Sequence, residues 1–150
     1  MNYWLMKSEP DVFSIDDLER AGTECWNGVR NYQARNMLRD QMQQGDLAFF
    51  YHSSCDVPGI TGIMRISRAG YPDATAFDTA SPYYDAKSTA ANPRWYMVDV
   101  QLVRKLKHII TLQQLKTDSR LQDFALLRRG NRLSVLPVSA RQWKYILSLE

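Results

Sequence analysis

The run Leu47 to Tyr51 constrains the fold more than any other part of this sequence. All five residues are apolar or aromatic, so a strand formed there presents apolar side chains on both of its faces. The segment Ile60 to Ser67 follows after a turn, and its alternation places Ile60, Met64 and Ile66 on one face. We therefore expect an antiparallel pair of strands in a sheet that is covered on both sides.

The other elements follow from apolar spacing and from helix caps. Further strands are predicted at Tyr3 to Met6, Arg94 to Lys107 and Arg132 to Val138. Helices are predicted after the caps Ser14, Thr111 and Ser139, from Tyr32 to about Gln43, and from Leu121 to Arg128. The sequence thus predicts an α+β domain in which helices are inserted between the strands of a small mixed β-barrel.

Two further observations concern packing. Trp4 and Trp143 lie among apolar neighbours and are expected in the core. The segment Ala69 to Pro93 is polar and rich in turn residues, but it carries the aromatic residues Tyr71, Phe77, Tyr83 and Tyr84. We therefore expect this segment to pack as a long ordered excursion.

Length and composition limit the classes of function. Residues 1–150 are expected to form one domain, and a net charge of +3 permits nucleic acid as a partner without requiring it. Cys25 and Cys55 are too few for a disulfide framework and show no metal-ligand spacing. The sequence contains no apolar run of bilayer length and no signal-peptide pattern. We expect a cytoplasmic monomer without metal or cofactor.

The stretch Trp26 to Asn36 is too polar for a core segment and too aromatic for an ordinary loop. Trp26 and Tyr32 offer flat apolar faces, and the residues that offer directional hydrogen-bonding groups are Arg30, Asn31, Arg35 and Asn36. Gly28 allows a close approach of the backbone or a positive φ angle. This combination suits a nucleobase, which stacks on a ring and is read along its edge. A loop followed by a surface helix, with Asn31 as N-cap and Trp26 as a partly buried anchor, explains the same residues.

Polar residues also occur where predicted strands end. They are Lys7, Ser8 and Glu9 in the first case, His52, Ser53 and Ser54 in the second, and Leu133 and Ser134 within the last strand. Trp95 begins a fourth strand, and these positions are expected to converge with the Trp26 to Asn36 stretch on one pocket. A solvated ion pair is the simpler interpretation of Lys7 and Glu9, and a structural histidine is the simpler interpretation of His52.

Catalysis has little support in the sequence. Residues His52 to Asp56 include the types used by nucleophilic enzymes, but five adjacent residues cannot place a nucleophile, a base and an orienting group in line. The sequence contains no nucleophile elbow, phosphate-binding loop or zinc-deaminase motif. We therefore do not expect an enzyme.

Basic residues form two clusters. One contains Arg104, Lys105, Lys107 and His108, and the other contains Arg120, Arg128, Arg129 and Arg132. Each cluster either follows nucleic-acid phosphates or simply lies on a solvated surface, and the sequence leaves both interpretations open.

Five separated motifs resemble the EVE domain family. In chain order they are Tyr3-Trp4-Leu5-Met6-Lys7-Ser8-Glu9-Pro10, Trp26-x-Gly28-Val29-Arg30-Asn31-Tyr32-x-Ala34-Arg35-Asn36, Phe49-Phe50-Tyr51-His52-Ser53, Pro93-Arg94-Trp95 before Val98-Asp99-Val100, and Arg132-Leu133-Ser134-Val135-x-Pro137-Val138. The motifs are spread over nearly the whole chain, from Tyr3 to Val138, and follow the family's order, which makes the resemblance specific.

The resemblance implies both a fold and a function. The implied fold is PUA-like, a twisted mixed β-barrel of about five to six strands surrounded by short helices, related to the YTH, ASCH and SRA modules. The implied function is non-enzymatic: a nucleic-acid-binding module that reads a modified base, above all modified cytosine in DNA, flipped into an aromatic-lined pocket. A YTH-like reader of modified RNA bases and a module that binds small molecules or nucleotides are the alternatives.

The resemblance also assigns roles by motif. Trp26 and Trp95 are expected to stack on the base or to wall it. The residues expected to line the pocket or to hold its shape are Lys7, Ser8, Glu9, Val29, Arg30, Asn31, Tyr32 and Asn36. Tyr51, His52 and Ser53 are expected to close the far side, with Leu133 and Ser134 beneath.

Overall fold

The computed structural model describes all 150 residues and contains six strands and four α-helices. The strands are β1 (Tyr3–Ser8), β2 (Thr23–Cys25), β3 (Leu47–His52), β4 (Gly59–Pro72), β5 (Tyr96–Thr111) and β6 (Val135–Val138). The helices are α1 (Ile15–Ala21), α2 (Tyr32–Asn36), α3 (Leu112–Lys116) and α4 (Ala140–Leu147). A π-helical turn spans Met37–Gln41, and 3-10 turns span Ala74–Phe77, Ser119–Leu121 and Ala125–Leu127.

All six strands belong to one mixed sheet with the order β2-β5-β4-β3-β1-β6. The β1 and β3 strands pair in parallel, and every other pair of neighbours is antiparallel. The predicted strand at Leu47 to Tyr51 is confirmed, and so is its antiparallel pairing with β4. Because β1 and β3 are parallel neighbours, their carboxyl ends, at Ser8 and His52, are adjacent in space.

Apolar side chains cover both faces of this sheet. Alternate residues of β3 point to opposite sides, so that Ala48 and Phe50 join one apolar cluster while Phe49 and Tyr51 join the other. The β1 strand divides in the same way, and its Leu5 lies in the second cluster. The expectation that the central strand is covered on both sides is therefore confirmed.

A β-bulge at Thr61 corrects the predicted faces of β4. Tyr51 pairs with Ile60 and Phe50 pairs with Gly62, so that Thr61 has no opposite residue. The Thr61 hydroxyl instead donates to the Phe50 carbonyl at 3.1 Å. The extra residue reverses the alternation, and Ile60 lies in the second cluster rather than with Met64 and Ile66 in the first.

Several predicted boundaries were wrong. The helix predicted from Tyr32 to Gln43 is a five-residue α-helix followed by the π-helical turn, and the segment from Leu121 to Arg128 forms 3-10 turns. The last strand begins at Val135 rather than Arg132, and β2 has no signal in the sequence because it is only three residues long. The β4 strand extends to Pro72, so the excursion expected from Ala69 begins after it.

The predicted helix caps are confirmed. Ser14 and Ser139 each form a reciprocal capping box, with Asp17 and Gln142 respectively. Thr111 accepts a hydrogen bond from the Gln114 N–H and so caps α3. Trp4 and Trp143 are buried in the core, as expected. None of the helices has the length and apolar character needed to traverse a bilayer.

Candidate functional site

A cavity with a volume of about 470 Å³ lies beside the end of β1. Its walls come from β1, from the turn before α1, from the loop that follows β2, and from the segment between β4 and β5. Seven of the residues predicted for the site line it, namely Lys7, Ser8, Glu9, Trp26, Val29, Arg30 and Ser134. The other lining residues are Val12, Phe13, Glu24, Cys25, Asn27, Gly28 and Tyr83.

Trp26 has a hydrogen-bonded main chain and an indole N–H that has no acceptor within the protein. Its main-chain N–H donates to the Val98 carbonyl at 2.7 Å, and its ring meets Phe50 edge-on at a centroid distance of 5.4 Å. The indole Nε1 donates to no protein atom, and no fully buried side-chain N or O atom lacks a partner, so this N–H reaches solvent. Trp26 is thus a rigid cavity wall with one free donor.

Arg30 holds the cavity in shape rather than offering donors to it. Its Nη1 donates to the Asp73 carboxylate at 3.0 Å and to the Val29 carbonyl at 3.1 Å. Its Nη2 donates to the Tyr83 carbonyl at 2.7 Å and to the Thr75 hydroxyl at 3.3 Å, and its Nε donates to the same Tyr83 carbonyl. All five guanidinium N–H groups are therefore used inside the protein.

Asp73 is the buried centre of this network. Its side chain is fully buried and accepts hydrogen bonds from Arg30, from the Gly28 N–H at 2.8 Å, and from both the N–H and the hydroxyl of Thr75. Burial alone raises the pKa of this carboxyl, but these hydrogen bonds outweigh burial and the pKa is lowered. Asp73 therefore joins the loop after β2 to the segment after β4 as a carboxylate.

Gly28 has a conformation and a neighbour that only glycine tolerates. Its φ angle is +81°, and a Cβ atom placed there would lie 2.7 Å from the Tyr83 ring. Both uses suggested by the sequence, a positive φ and a close approach, are present at this position. The Tyr83 ring therefore packs directly on the Gly28 backbone and forms a second aromatic wall of the cavity.

Trp95 lies behind this wall and does not line the cavity. Its Nε1 donates to Asp85 at 2.7 Å, and its ring stacks on Tyr32 at a centroid distance of 4.8 Å. The Arg30 guanidinium lies 5.3 Å from the Trp95 ring and 5.6 Å from the Tyr83 ring. Trp95 thus contacts a residue of the cavity lining, Arg30, without lining the cavity itself.

The remaining residues of the predicted recognition stretch support α2. Asn31 is the N-cap of this helix and accepts from the Ala34 N–H at 3.0 Å, as the alternative interpretation expected. Asn36 accepts from Arg35 at 2.8 Å and from Arg39 at 3.5 Å. Asn31, Tyr32 and Asn36 do not line the cavity.

Of the residues expected on the far side and beneath it, Ser134 lines the cavity, whereas Tyr51, His52, Ser53 and Leu133 lie outside its lining. The His52 Nε2 accepts from the Ile15 N–H at 3.1 Å, and burial lowers the pKa of this imidazole. Burial raises the pKa of Tyr51 to about 12. The Ser53 N–H donates to the Ser8 carbonyl, and Leu133 packs against both apolar clusters. These contacts connect the strand ends to each other and to α1.

Lys7 brings an ammonium group to the cavity. The side chain is half-buried, burial lowers its pKa, and none of the ion pairs of the protein includes it. Glu9 and Glu24 add carboxylates to the same lining. The cavity thus combines aromatic walls with donors and acceptors of both charges, which suits a flat heterocycle with a polar edge.

The His, Cys, Asp and Glu side chains do not cluster in this structure. No group of three or more His, Cys, Asp or Glu side chains is placed to hold an ion, and both cysteines are free thiols. Burial raises the pKa of the Cys25 thiol, which lies in the cavity lining. The Cys25 thiol is therefore held in its neutral form.

Sequence reasoning missed Asp73 and Tyr83. Both lie in the segment from Ala69 to Pro93, whose pattern indicated only that it is ordered. Its aromatic residues were the available signal, and Tyr83 was among them, but nothing nearby in the sequence shows that it meets Gly28. Asp73 contacts residues more than 40 positions away, and such contacts leave no local pattern.

Comparisons with known proteins place the whole chain in one group. The family model described as the EVE domain matches residues 2–149. Thymocyte nuclear protein 1 of Mus musculus is 48% identical over an alignment of 168 positions, which covers 99% of this chain and 74% of the relative. A crystal structure of a Pseudomonas syringae protein is 54% identical, with a TM-score of 0.94 and coverage of 98% of each chain.

Another solved structure includes nucleic acid. The human THYN1 protein, crystallised in complex with DNA that contains 5-methylcytosine, is 45% identical to this chain, with a TM-score of 0.94 and coverage of 99% of this chain and 97% of that one. A YTH domain with 15% identity and a TM-score of 0.52 shares the fold alone. The predicted PUA-like fold is confirmed by these neighbours.

Proposed function

The chain belongs to the EVE domain family, and we propose that it is a non-enzymatic, monomeric module that binds nucleic acid by taking up one modified base in the cavity beside Trp26. Modified cytosine in DNA is the base that we propose. The cavity of about 470 Å³ carries this proposal, because it combines aromatic walls with polar groups in one concave site. The DNA complex of the related human THYN1 protein, which contains 5-methylcytosine, supports the choice of base.

The base is proposed to lie between two aromatic walls. Trp26 supplies a rigid face and a free indole N–H, and Tyr83 supplies the second wall where it packs on Gly28. Base stacking on an aromatic ring stabilises the complex by about 1–3 kcal/mol. Because Arg30 has no free N–H, its part in binding is to hold both walls at a fixed separation.

The edge of the base is proposed to be read by charged groups. The ammonium of Lys7 donates to the O2 or N3 atom of cytosine, and the exposed carboxylate of Glu9 accepts from the N4 amino group. A methyl group on C5 finds apolar neighbours in Val12, Phe13 and Val29. In this arrangement the edge contacts select cytosine and the apolar part of the lining selects the modification.

The remaining predicted residues are proposed to act indirectly. Trp95 orders Arg30, Asn31 caps α2, and Ser8 holds the turn before α1 by donating to the Phe13 carbonyl at 2.6 Å. His52 accepts from α1 at its first residue. These contacts fix the cavity walls without touching the base.

Stacking alone gives little net affinity. Unpairing and unstacking a base costs a few kcal/mol, which is about what one stacked base returns. Tight binding therefore needs phosphate contacts or a base that is already exposed, and it weakens as salt rises.

Fluorescence anisotropy with labelled oligonucleotides tests the proposal directly. The panel contains DNA with plain, methylated or hydroxymethylated cytosine, RNA with N6-methyladenine, and free nucleosides as competitors. We expect Trp26→Phe to weaken binding of the modified DNA about fivefold, since part of the stacking energy is lost. Trp143→Phe is the matched control, because Trp143 stacks on Phe49 in the cluster on the other face of the sheet.

The same panel contains the outcomes that contradict the proposal. Equal binding of plain and modified DNA by the wild-type protein would remove the modified base from the function. Preference for the methylated RNA would make the module an RNA reader. Binding of a free nucleoside more tightly than of any oligonucleotide would favour the small-molecule alternative.

A further inference from the structure

The two basic clusters of the sequence have different surroundings in the fold. In the first cluster, Arg104 forms two hydrogen bonds of 2.9 Å with the Glu150 carboxylate, and Lys105 lies 2.7 Å from Asp16. The Lys107 main-chain N–H donates to the same Glu150 side chain at 2.6 Å, but its ammonium forms no ion pair. The positive charges of Arg104 and Lys105 are therefore compensated inside the protein.

The second cluster keeps three arginines without partners. Arg120 lies over the Tyr145 ring at 5.6 Å and is engaged there. Arg128, Arg129 and Arg132 are exposed, and none of them forms an ion pair or a side-chain hydrogen bond. Three uncompensated guanidinium groups within five residues make a concentrated positive surface.

A braced turn carries Arg128 and Arg129, and Arg132 follows it directly. The Asn131 N–H donates to the Arg128 carbonyl at 3.1 Å, and Gly130 has a φ of +78°, which this kind of turn requires at its third position. The Asn131 side chain donates to the Ala125 carbonyl at 2.6 Å and accepts from the Leu133 N–H at 2.9 Å. The backbone that carries the guanidinium groups is thus held from both sides.

This turn leads directly into the cavity wall. Arg132 precedes Ser134 by two residues, so their Cα atoms lie within about 7 Å of each other. Ser134 lines the cavity, and its carbonyl accepts from the Lys7 N–H at 2.8 Å. Arg132 is therefore the arginine of this cluster next to the cavity wall, at a distance that suits a phosphate beside a base in the cavity.

We propose that Arg128, Arg129 and Arg132 form a phosphate-binding strip that holds the DNA backbone on one side of the base cavity. The inference rests on the proposed function, because it assumes that a base enters this cavity. The strip would supply the affinity that stacking alone does not, since guanidinium groups form bidentate hydrogen bonds with phosphate oxygens. The strip contacts phosphates and not base edges, so it strengthens binding without selecting the modification.

The experiment measures how binding depends on salt. A variant with Arg128→Gln, Arg129→Gln and Arg132→Gln is compared with the wild type on duplex DNA with plain or methylated cytosine, between about 50 and 200 mM salt. The slope of log K against log salt is expected to become shallower by about 2 to 3, roughly 0.9 for each phosphate that the variant no longer neutralises. Binding of the two DNAs is expected to weaken by the same factor.

A matched control separates local contacts from overall charge. Lys116→Gln, Arg141→Gln and Lys144→Gln change three exposed cations on α3 and α4, and either triple variant lowers the net charge from +3 to 0 (3 − 3 = 0). The control is expected to change the slope by less than about 1. Thermal unfolding of both variants checks that the fold is kept.

The outcomes distinguish this inference from the proposed function. If the arginine variant keeps the wild-type slope or matches the control, the strip is wrong, whereas a methyl preference in the same data would still support the base reader. If each protein binds plain and methylated DNA with the same affinity but the arginine variant has a shallower slope, the arginines bind phosphate and reading of the modification is wrong. If the wild type binds neither DNA, both are overturned.

Discussion

Trp26 and Trp95 belong to two neighbouring regions and have the same exposure, 7% each, but different partners. The Trp26 indole N–H is free and its ring lines the cavity. The Trp95 indole N–H is bound by Asp85, and its ring is stacked on Tyr32. The comparison shows that burial alone does not distinguish a residue that lines the cavity from one that does not. The two tryptophans differ in the hydrogen-bond partner of the indole N–H and in what lies against the face of the ring.

The two regions also differ in how they are held. The loop of Trp26 rests on Asp73 through Gly28 and Arg30, and it contacts Phe50 of the sheet. The Trp95 ring instead lies 5.3 Å from the Arg30 guanidinium and does not line the cavity. The Trp26 region is therefore the candidate contact surface, and the Trp95 region is its support. Substitutions in both regions test that division, beginning with the largest expected effect.

Asp73→Ala is expected to break the connection between the two regions. Removing a fully buried carboxylate leaves the partly buried Arg30 charge without its ion-pair partner and the Gly28 N–H without an acceptor, which costs about 3–5 kcal/mol of the free energy of unfolding. Urea denaturation measures the loss. Asp78→Ala, an exposed position in the same segment, is the control and is expected to cost less than about 1 kcal/mol. Equal effects at both positions would remove Asp73 from its central role.

Gly28→Ala is expected to disturb the cavity more than the rest of the fold. The positive φ alone costs about 1–2 kcal/mol, and the new Cβ also displaces the Tyr83 ring from 2.7 Å. Gly45→Ala is the matched control, because its φ is +95° and its Cβ meets nothing within 4 Å. We expect similar losses of stability from φ and a loss of DNA affinity only at Gly28. Wild-type affinity in Gly28→Ala would show that Tyr83 is no wall of the site.

Trp95→Phe is expected to reverse the pattern proposed for Trp26→Phe. It removes the hydrogen bond to Asp85 and part of the stack on Tyr32, which lowers the free energy of unfolding by about 1–2 kcal/mol. Affinity for modified DNA is expected to change less than about threefold, below 1 kcal/mol. Denaturation and anisotropy on both variants measure the two effects. A larger affinity loss at Trp95 than at Trp26 would restore Trp95 as a direct wall.

His52→Gln is expected to have the smallest effect, seen only as a change in pH dependence. Burial lowers the folded-state pKa of His52 below its ordinary value of about 6.5, and its Nε2 must be unprotonated to accept from Ile15. Because the unfolded chain then binds the proton more readily, this contribution to stability is present above about pH 6.5 and is lost as pH falls.

Unfolding free energies at about pH 7.5 and pH 5.5 measure this effect. His52→Gln is expected to flatten the difference between the two values, and His108→Gln, at an exposed position, is the matched control. The His52 ring is connected to the cavity wall, because it meets Phe50 edge-on and Phe50 in turn contacts Trp26. An undiminished pH difference in His52→Gln would show that the imidazole is not the sensitive group.

The sequence predicted the fold better than it predicted the site. Periodicity located β3, its pairing with β4 and the capped starts of α1 and α4, and five motifs indicated the family. It placed Ile60 on the wrong face, because a single bulged residue at Thr61 reverses an alternation that looks regular in the sequence. Of the two tryptophans predicted to contact a base, the structure brings only Trp26 to the cavity.

Local signals and long-range contacts explain this division. The sequence by itself determined which strand must be covered on both faces, where helices begin, and which family the chain belongs to, since these depend on neighbouring residues or on whole motifs. Only the tertiary structure decided that Asp73 and Tyr83 join Gly28 and Arg30 around the cavity. These partners are separated by more than 40 positions, and a hydrogen-bond acceptor or a ring face becomes occupied only when the folded chain brings them together.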